Sequence, residues 1–199
     1  MKIPVCLLLA VSSLFAQTLT DGERGRALSE LQGTRKLFLD AVAGLSDAQW
    51  NFKPDARTWS IGECAEHIAL SEDELLAMVT DKIMKSPAEP ARKAEAKGRD
   101  ETVLKTVADR SKKAQAPPSL TPSHKWKSRQ ELIEHFKQSR DRTLDYVRTT
   151  PDSLRSHFAP NGAMGTLDAY QYILLISAHT GRHVEQINEV KANPKYPKK

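Results

Sequence analysis

The sequence predicts an all-α protein, a four-helix bundle with one long crossover connection between its second and third helices. Three observations predict it. Four segments carry apolar residues at three-four spacing, the period of a helix with one buried face. Ser or Thr followed three residues later by Glu or Gln, a reciprocal helix cap, opens several of them. No stretch shows the convincing alternation of a half-buried strand. At 199 residues, 39% hydrophobic and 28% charged, the chain can bury one domain core without disulfides or oligomerisation.

Thr20 with Glu23 opens the first helix, whose apolar positions are Leu28, Leu31, Phe38, Ala41/Val42 and Leu45. Gly22, Gly25 and Gly33 weaken it by roughly 1 kcal/mol each where they are interior, so packing must compensate. Ser46 with Gln49 starts a short helical turn, followed by Trp50, Phe52 and Pro54 leading into a loop. Ser60 with Glu63 opens the second helix, and Trp59 just before it is placed to pack back as a staple. Its stripe is Ile61, Cys64/Ala65, Ile68, Leu75/Leu76, Val79 and Ile83, with Pro87 and Pro90 ending it. Residues 86–127 form a polar connection with five prolines and a charged middle, in which Val103, Leu104 and Val107 fit a short helix. A connection of this length implies a crossover or a lid. Ser128 with Glu131 opens the third helix, with Leu132, Ile133, Phe136, Leu144 and Val147 inward and Pro151 at its end. A loop over 152–165 contains the turn former Asn161-Gly162. The fourth helix is expected from about Thr166 to Ala192, closed by Asn193-Pro194.

The first residues read as a secretory leader rather than as part of the fold. Met1-Lys2 is a minimal basic start, Ile3 to Phe15 is apolar, and Ala16 precedes Gln17. The expected division is a signal peptide over 1–16 and one domain over 17–199, which implies a periplasmic or secreted protein. Leu14 three residues before the cut leaves the cleavage position open, and an uncleaved anchor is the alternative. Cys6 has no lipobox around it, and the apolar run is shorter than a membrane span. No membrane association is expected after cleavage. Cys64 is then the lone thiol, so the fold stands without an internal disulfide; on an apolar helix face it reads as a small buried residue. The net charge of +5 is mixed in sign along the chain, with its basic excess over 92–113 and in the tail. Interleaved acids argue against a phosphate-binding stripe, so nucleic acid is not an expected partner. Oligomeric state stays open, a homodimer being the common default.

Histidines carry the functional signal. His179 and His183 lie four apart, so they stack on one face of the fourth helix. That face also holds Tyr172, Leu175, Ile176, Gln186, Ile187 and Val190. Two adjacent imidazoles among aliphatic side chains are costly unless each has a partner. A shared metal ion resolves this, since neutral imidazole ligates zinc, nickel or iron. The pair alone is equally compatible with two hydrogen-bonded core histidines. His67, at the edge of the second helix's stripe, reads by itself as a boundary histidine. As a third ligand it would complete a three-histidine site with one position open for water or substrate. His124, His135 and His157 fit less well, lying in loops or on a polar face.

The stretch Trp59-Ser60-x-x-Glu63-x-x-x-His67-Ile68, with His179-x-x-Arg182-His183-x-x-Gln186-Ile187, resembles the DinB-like family of four-helix proteins. The resemblance covers about residues 20–196, including the crossover and the terminal Pro194-Lys195-Tyr196-Pro197. It implies a divalent metal on three histidines, which map onto His67, His179 and His183. Zinc or nickel is the first expectation for the ion, iron or manganese the next. Relatives include bacillithiol S-transferases and mycothiol-dependent maleylpyruvate isomerases, whose metal activates a thiol. The family's name reflects DNA-damage induction and implies no DNA binding.

The expected function is metal-dependent hydrolysis or thiol transfer on an unknown small-molecule substrate. Export favours water as nucleophile, because the thiols used by relatives are chiefly cytosolic. The alternatives are a non-catalytic metal- or ligand-binding stress protein, and a structural bundle with core histidines. Glu63 and Gln186 are candidates to orient the ligands, although Glu63 reads more simply as the partner of Ser60 in its cap. Glu185 reads as a solvated charge, Arg182 as a surface ion pair or an anion contact, and Trp50 and Trp59 as core plugs rather than substrate walls.

Overall fold

The computed structural model describes residues 18–96, 98–111 and 115–198, so the leader expected over 1–16 lies outside the described residues. Helix α1 spans Asp21–Val42, α2 Asp47–Asn51, α3 Ile61–Ala77, α4 Lys93–Ala96, α5 Asp100–Ala108, α6 Arg129–Thr149 and α7 Ala169–Lys191. The four long helices α1, α3, α6 and α7 form the bundle. Helices α1 and α3 each pack against both α6 and α7, so α1 lies diagonally across from α3 and α6 from α7. No described helix is long and apolar enough to cross a membrane.

The helix starts follow their caps. Thr20, Ser46 and Ser60 each accept the backbone N–H of the residue three ahead, whose side chain returns the bond. Ser128 caps α6 through the N–H of Glu131, but the Glu131 carboxylate goes to the Lys127 N–H instead. The start of α7 differs from the expected Thr166. Asp168 is the cap, with Gln171 reciprocating, because residues 158–168 form a hairpin that the sequence reading placed in a loop and the first helical turn. Its strands, β1 (Phe158–Asn161) and β2 (Gly165–Asp168), are antiparallel, with Phe158 opposite Asp168. At its other end α3 continues through a π-helical turn over Met78–Ile83, which keeps Val79 and Ile83 buried.

The core falls into two apolar layers. One gathers Leu31, Val79, Ile83, Leu144, Val147, Ile173 and Ile176; the other gathers Phe38, Ile61, Ile68, Phe136, Val184 and Ile187. Between them runs a polar layer with a contribution from every bundle helix: Thr34, Glu72, Arg140 and Thr180. Arg140 is fully buried and binds the Glu72 carboxylate through Nε at 2.8 Å and again through Nη2. It also donates to Thr34 Oγ1 and Thr180 Oγ1, both at 2.9 Å, and to the Leu31 carbonyl.

The crossover docks α5 along α7. The first residue of α5, Asp100, binds Arg155 at 2.6 and 2.9 Å, and Arg155 also binds Asp168 at 3.0 Å and Glu23 at 2.8 Å. Burial pushes the Asp100 carboxyl up, but Arg155 outweighs it and holds the group below its ordinary value. Buried Asp168 stays above its ordinary value, because desolvation exceeds what Arg155 returns.

One close approach explains a glycine. A Cβ on Gly62 would lie 2.4 Å from Trp50 Nε1, and Arg129 stacks on that indole at 4.5 Å. The substitution Gly62→Ala must displace the indole and is expected to cost about 1–3 kcal/mol, the range for overpacking. Calorimetric melting would read this as a drop of roughly 2–12 °C; an unchanged melting temperature would mean that the Trp50 turn yields freely.

Candidate metal centre

His67 sits in the second turn of α3, and His179 and His183 sit one turn apart on α7. The packing of α3 on α7 brings them together, so that one ring nitrogen of each lies within 4.8 Å of the others. No carboxylate or thiol joins this group among the described residues. His67 Nε2 and His179 Nε2 are 3.2 Å apart. Two nitrogens on one tetrahedral ion, each about 2.0–2.1 Å from it, are separated by about 3.3 Å. The spacing therefore suits a shared cation.

Hydrogen bonds on the far side of two rings fix which nitrogen faces inward. The Leu120 carbonyl can only accept, so His67 Nδ1–H donates to it at 2.8 Å and the lone pair is left on Nε2. His183 Nδ1–H donates to Gln186 Oε1 at 2.8 Å, with the same result. The orientation of the Gln186 amide is consistent with this, since Arg110 also donates to Oε1, at 3.3 Å. With both lone pairs inward, the short His67–His179 contact needs a proton from His179 or an ion in its place. Burial drives all three imidazoles toward the neutral form that ligates a metal. His67 is lowered by desolvation; His179 is lowered well below its usual value by desolvation and its neighbours' charge; His183 is lowered to about 3 for the same reasons.

The structure corrects two expectations at the site. His67 is not a boundary residue: it is 3% exposed, with Trp59, His179 and His183 against its ring and the Leu120 carbonyl of the crossover bonded to it. Trp59 packs against the core as expected, but it is half-buried and its ring centroid also lies 5.0 Å from His67 and 6.3 Å from His183, so it forms a wall of the site as well. Of the two orienting candidates, Gln186 binds His183 directly. Glu63 closes its cap on the Ser60 N–H at 2.7 Å and pairs with Lys53 at 2.9 Å, which accounts for both its oxygens without His67.

The other singled-out residues lie apart from the cluster. His135 pairs with Asp73 at 2.6 Å, His157 bonds the Ser86 carbonyl at 2.9 Å, and Glu185 is exposed. Arg182 donates to the Val107 and Asp109 carbonyls at the end of α5. Cys64 is buried, and desolvation raises its thiol to about 12, which suits a packing role rather than a nucleophile. The sequence reading missed Arg110, Leu120 and Glu66. The first two act on the site from the crossover, where periodicity carries no information. Glu66 neighbours His67, and its carboxylate reaches across to that same connection.

Comparison with known proteins agrees with this architecture. The sequence matches the DinB superfamily over residues 30–187. The chain belongs to the DinB superfamily. It is 28% identical over 150 residues to the uncharacterised protein YuaE of Bacillus subtilis strain 168, an alignment covering 75% of this chain and 88% of the relative. Its fold is similar to that of YfiT from Bacillus subtilis, described as "a probable metal-dependent hydrolase with an unusual four-helix bundle topology". That similarity has a TM-score of 0.55 at 13% identity, covering 91% of this chain and 93% of the other. This DinB-superfamily chain therefore shares the four-helix fold and carries three histidines clustered in it.

Proposed function

We propose that this protein binds one divalent metal ion through His67, His179 and His183 and is an exported metal-dependent hydrolase or thiol transferase. One observation carries the reading: three imidazoles converge, His67 and His183 buried and His179 half-buried, and two have their inward lone pairs fixed by outward hydrogen bonds. A divalent ion held there supplies Lewis-acid chemistry, lowering the pKa of a water or thiol toward neutrality. The residues themselves do three things. The histidines present a neutral nitrogen set, Leu120 and Gln186 orient two of the rings, and Trp59 gives an apolar wall that keeps water from one side. The description of YfiT as a metal-dependent hydrolase supports the hydrolytic version. The leader-like residues 1–16 support export, and with it water as the nucleophile.

The absence of any carboxylate from the histidine group among the described residues favours a second reading, a metal- or ligand-binding protein without catalysis. Both readings share one test. The chain from Gln17, purified without chelators or a histidine tag, is expected to carry about one divalent ion by elemental analysis. Zinc or nickel is the first candidate and iron or manganese the next. Metal-dependent turnover of ester, amide or thiol-transfer probes would then separate enzyme from binder. A chain that takes up none of these four ions would exclude the metalloenzyme and the metal-binding form of the second reading.

A further inference from the structure

The metal reading accounts for the histidines but not for how closely the crossover is tied to them. Two ligands take their outward hydrogen bonds, directly or at one remove, from residues of this connection. Leu120 supplies the carbonyl that orients His67. The loop carrying Leu120 is itself staked to α3: the Glu66 carboxylate accepts the N–H groups of Ser123 at 2.8 Å, His124 at 3.0 Å and Lys125 at 3.0 Å. His124 takes a left-handed φ of 61° there, a strained conformation for a side-chain-bearing residue that the three bonds to Glu66 hold in place.

At the other end, Arg110 follows α5. Its guanidinium binds Glu189 through two bonds of 2.6 Å and reaches Gln186 Oε1 at 3.3 Å, the oxygen that accepts from His183. Glu189, Arg110, Gln186 and His183 thus form a chain running from the surface of α7 through the crossover to a ligand. Arg182 ties the same end of α5 down through the Val107 and Asp109 carbonyls.

We infer that the crossover is the outer half of the metal centre: its docking and metal binding are one coupled equilibrium, with Arg110 and Glu66 as positioning residues. This rests on the three-histidine reading. Linkage makes the effect reciprocal, so whatever factor undocking removes from metal affinity is the factor by which metal favours docking. A structural role alone predicts lower stability in variants, not this reciprocity. Loss of an outer hydrogen-bond partner of a ligand histidine typically weakens metal binding 10–100-fold.

The test uses the chain from Gln17 and zinc. Calorimetric titration compares wild type, Arg110→Ala, Gln186→Ala, the double variant and Glu66→Gln. Gln186→Ala, which removes the partner of His183 itself, is expected to weaken zinc binding by roughly 10–100-fold; Arg110→Ala is expected to weaken it by a smaller factor, and to add little in the Gln186→Ala background, because it acts through that amide. Glu66→Gln is expected to weaken it too, while melting above room temperature. In wild type, zinc is expected to slow tryptic cleavage after Lys105, Arg110 and Lys125. Wild type binding one zinc, with Arg110→Ala and Glu66→Gln unchanged in affinity and cleavage indifferent to zinc, would overturn the coupling and leave the metal site standing. No zinc in wild type would overturn both.

Discussion

Zinc at roughly a thousand-fold its Kd is expected to raise the melting temperature by about 8–16 °C, a shift that chelation reverses. The figure follows from mass action. An ion that binds only the folded chain adds about 4.1 kcal/mol at that excess, and a domain of this size gains roughly 2–4 °C per kcal/mol. Binding only the folded chain is a strong condition here. His67 and His179 are 112 positions apart in sequence, and only the packing of α3 on α7 brings their Nε2 atoms to 3.2 Å. The unfolded chain retains only the His179–His183 pair, a much weaker site. In His67→Ala and in His183→Ala the shift is expected to disappear, since each removes one of three ligands and loses more than the outer partners contribute. Melting curves by circular dichroism, with and without each ion, check this. No shift with zinc, nickel, iron or manganese would return the three imidazoles to the role of hydrogen-bonded core residues.

How much of this was legible in the sequence depends on which element carries the information. The i, i+4 spacing of His179 and His183 inside an apolar stripe was enough to turn both toward the core, because one helix's periodicity fixes its own faces. The same reasoning misjudged His67. Leu120, whose carbonyl bonds its ring, is 53 positions away, and His179 and His183, which pack against it, are more than a hundred, so no pattern within α3 reports what covers it. For Trp59 the staple position places the ring near the helix start and against the core, but its second role, beside His67 of α3 and His183 of α7, depends on how those two helices pack. The hairpin at 158–168 escaped because its strands have four residues each and one contains Pro160, while its Asn161-Gly162 signal was read only as a turn. The cap of α7 was available in principle. Asp168 with Gln171 is a capping box with a carboxylate in place of the hydroxyl, and it would have moved the helix start to the right residue.

The polar layer was also written in the sequence, as an interruption. Glu72 falls four after Ile68, Arg140 four after Phe136, and Thr180 four after Ile176, each where the stripe calls for an apolar side chain. Arg140→Met is expected to destabilise the fold by about 3–5 kcal/mol, a fall of roughly 6–20 °C, because it strands the Glu72 carboxylate in a site where it is 2% exposed. Pairing it with Glu72→Leu is expected to recover most of that loss, since a buried ion pair replaced by apolar side chains of similar volume is often neutral or better. The hydroxyls left behind have helical carbonyls at hand, Ile176 for Thr180 and Glu30 for Thr34. Metal affinity is expected not to follow stability. Thr180 Oγ1 bonds the Glu72 carboxylate at 2.9 Å, and these two residues adjoin the ligands, Thr180 next to His179 and Glu72 five positions after His67. The layer thus fixes the spacing of the two ligand-bearing helices, and an apolar replacement packs them without fixing their register. A double variant that melts near wild type and binds zinc more weakly would identify the layer as a device for positioning the site. One that recovers both would reduce it to a stability element, and one that recovers neither would mean that Arg140 and Glu72 are not the isolated pair that the cycle assumes.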